Sequence, residues 1–92
     1  MGTLYVNNLF PTTGSTVQLN GDVTVVGTTP TLTIGDAGAE DATLSFAGNA
    51  QRFHVALDDT ADDLVIGVGA VAGTTTAIAI NELAQVQVVD AF

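Results

Sequence analysis

Residues 57–67 read LDDTADDLVIG. Leu57 ends one alternating apolar run, and Leu64 and Ile66 begin another. Between them lie Asp58, Asp59, Thr60, Ala61, Asp62 and Asp63. Alternation at period two marks half-buried strands, and a polar Asp-rich stretch between two such runs marks a turn, because Asp side chains bond their own backbone two residues on. The stretch therefore predicts a β-hairpin, and working outward from it predicts a β-rich chain.

Upstream, Phe53, Val55 and Leu57 alternate with Arg52, His54 and Ala56. Downstream, Leu64, Ile66 and Val68 alternate with Val65 and Gly67. Shorter alternating runs surround Leu4 and Val6, Val17 and Leu19, Val23 and Val25, Leu32 and Ile34, Leu44 and Phe46, Ile78 and Ile80, and Val86 and Val88. Each predicts a strand of about four to six residues. Asn20-Gly21 predicts a tight hairpin. Gly-, Asp- and Thr-rich loops are expected at 27–30, 35–41, 47–51 and 69–75, and PTTGS at 11–15 as a separator. Pro11 and Pro30 fall outside the alternating runs, as ladder bonding demands. Asn81 offers a helix cap before ELAQ, but the Val-rich alternation that follows favours strand with at most a short helical turn. TLTIGDAGAEDATLSF and LVIGVGAVAGTTTAIAI echo each other, which fits either two hairpins or two stacked solenoid coils.

Composition bounds what this fold can do alone. The chain has 92 residues and is 47% hydrophobic, with four Phe, one Tyr and no Trp. A chain this short buries only roughly 60–65% of its unfolded surface, and Val, Ala and Gly make a thin core. Small scaffolds compensate with disulfides, metals or association. Cysteine is absent and His54 is the only histidine, which excludes disulfides and a structural zinc site. Association remains. The net charge is −9 with no lysine, so nucleic-acid backbones and anionic membranes are not expected partners. Such a surface suits salty water, where screening is short-ranged. The opening MGTLYVNNLF lacks a basic start and a continuous apolar run, so no signal peptide is expected. No stretch is long and apolar enough to span a membrane.

Candidate chemistry is sparse. Asp58, Asp59, Asp62 and Asp63 are the weak candidates for a cation site, but they lack the alternating spacing, central Gly and closing Glu of a calcium loop. A solvated turn is the stronger reading. Asp36, Glu40 and Asp41 could join them in a shared cation site if the two loops met in an assembly. His54 has no nucleophile relay partner and is expected to contact a neighbouring chain. Arg52, the only cation among the basic side chains, is expected to pair with a carboxylate. GVGAVAG at 67–73 lacks a following Lys and helix, so it reads as a loop rather than a phosphate cradle. No catalytic residue and no cofactor is expected.

The stretch from VTVVGTTP through TTTAIAIN resembles segments that recur in fibre proteins of tailed bacteriophages, marine ones in particular. Leu57 to Gly67 matches a strand ending in Asp-Asp/Glu-Ser/Thr-Ala-Asp-Asp/Ser-Leu followed by a Val/Ile-Gly strand, and Leu19 to Gly27 matches the LNGDVTVVG-like stretch before it. The resemblance covers about the last three quarters of the chain. It implies a homotrimer in which each chain lends strands to a three-sided core, as hairpins or as a short β-solenoid or prism. It also implies a place on the virion as a tail fibre, head fibre or decoration protein, among other virion proteins. Leu44, Phe46, Phe53, Val55, Leu57, Leu64, Ile66, Val88 and Phe92 are then the expected interface. Residues 1–30 are expected as an N-terminal β segment open to an attachment role, and 31–92 as the β-rich trimerisation domain. The chain departs from the family in being short and without aromatic-rich tip loops. The competing reading is an extracellular β-type module that binds a glycan or protein, assisted by calcium at the Asp loops.

Overall fold

The computed structural model describes residues 2–89. It divides into two units, residues 1–32 and residues 33–92, and Phe92, expected at the interface, lies outside the described residues.

The second unit is a single antiparallel sheet. Its strands are β1 (Ala42–Ala47), β2 (Arg52–Asp58), β3 (Asp63–Val68), β4 (Thr76–Ile80) and β5 (Val86–Val88). They pair in chain order as a meander, with no helix among the described residues. The all-β expectation holds, and of the two architectures left open the structure shows hairpins, because every neighbouring pair is antiparallel. LDDTADDLVIG is the hairpin its sequence predicts. Asp58 pairs with Asp63 as the last rung of β2 and β3, and Asp62 turns the chain at φ +58, a left-handed conformation that Asp tolerates better than most residues.

The first unit departs from the sequence reading. The strands expected around Leu4, Val17, Val23 and Leu32 do not form, and the described residues 2–41 contain no strand. The physical reason is partnership. A strand is stable only when its N–H and C=O groups meet a ladder, and an isolated two-stranded hairpin is marginal without a third strand or a packing face. Asn20-Gly21 likewise closes no hairpin, and Gly21 sits at φ +151. Thr12–Ser15 does turn as expected, with Gly14 at φ +68. Large side chains in this unit stay open to solvent: Leu4, Tyr5 and Phe10 each expose more than three quarters of their surface.

The register of the sheet sorts its side chains into two unlike faces. One carries the row Thr43, Ala56, Val65, Ala79, Gln87 and the row Ser45, His54, Gly67, Thr76. The chain closes this face with its own β3–β4 loop, residues 69–75, whose Ala72 joins Ala56, Val65 and Ala79 in the buried cluster. That cluster of one valine and three alanines is the whole buried apolar core of the described residues. Small side chains are what let the loop lie close. Gly67 shows why: a Cβ there would run into the Thr75 carbonyl and lie 3.0 Å from the His54 Nε2. A bulge between Ile66 and Gly67 takes up the extra residue of β4 at this point.

The β4–β5 turn explains why the cap signal at Asn81 yields no helix. The Asn81 Oδ1 accepts from both the Leu83 and Gln85 N–H groups at 3.0 Å. Its Nδ2 donates to the Gln85 Oε1, and Ala84 takes φ +61. Asn side chains that bond forward in this way favour turns over helices.

Candidate assembly face

The other face of the sheet is apolar throughout. Its rungs run Ala42, Leu57, Leu64, Ile80, Val86, then Leu44, Val55, Ile66, Ile78, Val88, and then Phe46, Phe53, Val68. Eight of the nine residues expected at an interface therefore lie on one face, brought together by the period-two geometry of four strands. The face is left open. Phe46 and Phe53 expose about half of their surface, at 53% and 51%. Leu44, Leu57, Leu64 and Ile66 lie between 40% and 43%, and Val88 is at 64%. Val55 is half-buried. The expected interface omits Ile78, Ile80, Val68 and Val86, which complete the rungs. Their alternation was visible, but only the register shows that they share a face with Leu44 and Phe53.

The contrast between the faces is energetic. Fully burying a Leu, Ile, Val or Phe side chain contributes roughly 1.5–3 kcal/mol relative to leaving it exposed. The closed face buries mainly alanines, and the largest fully buried side chain in the described residues is His54. Most of the large apolar side chains of this unit thus sit where only another surface can cover them. An open apolar face of this continuity is a candidate interaction surface.

His54 is a correction to the sequence reading. It contacts its own chain, not a neighbour, and is fully buried beneath the β3–β4 loop. Its Nδ1 lies 2.9 Å from the Gly69 carbonyl oxygen. A carbonyl only accepts, so Nδ1 carries the hydrogen. The Nε2 has no hydrogen-bond partner, and Gly67 fills the space before it. The hydrogen bond the structure gives the Arg52 guanidinium is to a hydroxyl, not a carboxylate: Nη1 donates to Ser45 Oγ at 2.8 Å.

The Asp-rich segments meet within one chain, without an assembly to join them. The Asp41 carboxylate accepts from the Asp59 N–H at 2.8 Å, tying the 35–41 loop to the β2–β3 turn. Asp36 accepts from the Gly38 N–H at 3.0 Å. Its carboxyl is held below the ordinary 3.8 by a hydrogen bond with Glu40 and then by that Gly38 N–H. The Asp58 carboxylate lies against Gly73 of the covering loop. Among the described residues no three of His, Cys, Asp or Glu gather to hold a metal ion. No helix among the described residues is long and apolar enough to cross a membrane. The sequence and structure match no known protein family, no curated protein and no solved structure.

Proposed function

We propose that this chain is a non-enzymatic structural protein of a tailed-phage particle. In this reading it works as a β-rich homotrimer, either a fibre segment or a decoration on the capsid or tail, set among other virion proteins on the extracellular particle. The observation that carries the reading is the unequal sheet: one face sealed by the chain's own loop over three alanines and a valine, the other apolar and open. A face of Leu, Ile, Val and Phe exposed on that scale is a liability in a lone monomer and a core in an assembly. Three copies that turn this face toward a common axis bury it from all sides. The likeness of Leu57 to Gly67 and of Leu19 to Gly27 to phage fibre segments supports the virion setting. Assembly, not chemistry, is the mechanism, driven by apolar burial.

The setting is tested on the particle. Immunogold labelling against this chain, on purified phage particles whose genome encodes it, should decorate a tail, fibre or capsid position in intact virions. Labelling confined to the lysate fraction, with bare particles, would overturn the virion reading.

A further inference from the structure

Resting on the trimer reading above, we propose that the β5 edge of one copy pairs in parallel with the β1 edge of the next, closing the three sheets into a ring.

Three observations lead there. First, the β1 edge is unprotected, and the β5 edge carries neither charge nor proline. Proteins guard exposed edges with charges, prolines, bulges or very short strands. β1 has six residues, ATLSFA, with no charge, no proline and regular pairing to β2. β5 reads VQV and is short but uncharged. Second, the open apolar face runs unbroken to both edges, ending at Val86 and Val88 on one side and at Ala42 and Leu44 on the other. Joining the edges makes the rungs continuous from copy to copy, with Val86 leading to Ala42 and Val88 to Leu44. Third, the strand count fixes the direction. A five-strand meander has its first and last strands running the same way. Copies related by rotation about an axis along the strands therefore meet β5 to β1 in parallel. This is a heterologous contact, which closes when the rotation closes.

The dimensions agree with three copies. Strands about 4.8 Å apart make a five-strand sheet about 24 Å wide. Three such sheets in a triangle stand about 7 Å from the axis, against the about 5 Å that each sheet occupies in an ordinary face-to-face pair. Leu64 and Ile66, on the central strand β3, sit closest to the axis. A two-sheet sandwich would cover the apolar face but leave all four edges open.

The cysteine-free sequence makes the test direct. Thr43 and Gln87 share one rung at opposite edges of the sheet, on the side away from the apolar face. Within one chain they are four strand spacings apart, about 19 Å, too far for a disulfide. The double variant Thr43→Cys/Gln87→Cys, mildly oxidised, should run as a covalent trimer on a non-reducing gel. Ser45→Cys/Gln87→Cys covers a register staggered by two residues. Equal mixing of the single variants Thr43→Cys and Gln87→Cys should give mixed disulfides, with little product from either alone. Each reduced variant is first checked for the solution mass of the parent chain. A parent trimer that forms no link at either register would overturn the edge closure and leave the trimer reading standing. A disulfide dimer from a β1 single variant alone would overturn it in favour of β1 pairing with β1. A monomeric parent chain would overturn the trimer reading beneath it.

Discussion

The His54 Nδ1 donates to the Gly69 carbonyl across 2.9 Å, and this contact fastens the β3–β4 loop to the sheet it covers. The ring is fully buried, so it serves as both a hydrogen-bond donor and the largest packing element beneath the loop. Replacing His54 by Ala removes both. The loss should be about 2–4 kcal/mol, from a cavity the loop cannot fully collapse into and an unpaired carbonyl. Urea denaturation of the variant checks it. A change below about 0.5 kcal/mol would mean that the loop is held elsewhere.

Gly69 and Gly73 bracket that loop and separate two effects. Gly69 has φ +103 with open space where a Cβ would go, whereas Gly73 has φ +85 and the Asp58 carboxylate in that space. Gly69→Ala should lose only the backbone term, about 1–2 kcal/mol. Gly73→Ala should lose that and more, because the Asp58 carboxylate must move. Thermal melts of the two variants under one buffer rank them. Equal melting temperatures would contradict the close approach of Gly73 to Asp58.

Asp36 gives a pH signature. Its folded carboxyl lies below 3.8 because Glu40 and the Gly38 N–H favour the ionised form. A group lowered on folding contributes stability that is present above its unfolded value and lost as pH falls through its folded value. The Asp36–Gly38 bond should therefore persist through pH 3.8 and release below it. Following the Asp36 carboxyl carbon and the Gly38 amide by NMR checks this, and a midpoint at or above 3.8 would contradict it. The carboxyl is fully exposed, so the effect stays within the 35–41 loop.

The sheet was legible where the sequence had both a pattern and a local partner. Leu57 to Ile66 carried alternation, turn chemistry and alternation again, and it folds as read. The described residues of the expected interface fall on one face because period two leaves little freedom once the strands are right. The N-terminal unit was misread because Val17, Leu19, Val23 and Val25 alternate as strand residues do, yet alternation says nothing about whether a ladder partner exists. His54 was misread for a related reason. Its face was correctly placed opposite Phe53, but the loop that buries it is made of Gly, Ala, Val and Thr, and nothing in GAVAGTT announces that it folds back over a sheet. Only Gly67, with no room for a side chain, hints at that close approach.

The central claim is that the open apolar face is the core of an assembly, and mass in solution tests it most directly. Light scattering on a sizing column at moderate salt should give three times the 9.3 kDa of the chain. Ile66→Asp, at the centre of the face and already 40% exposed in the single chain, should give the monomer mass with its strand signal retained in circular dichroism. A parent chain that elutes as a stable, folded monomer, indifferent to Ile66→Asp, would contradict the account.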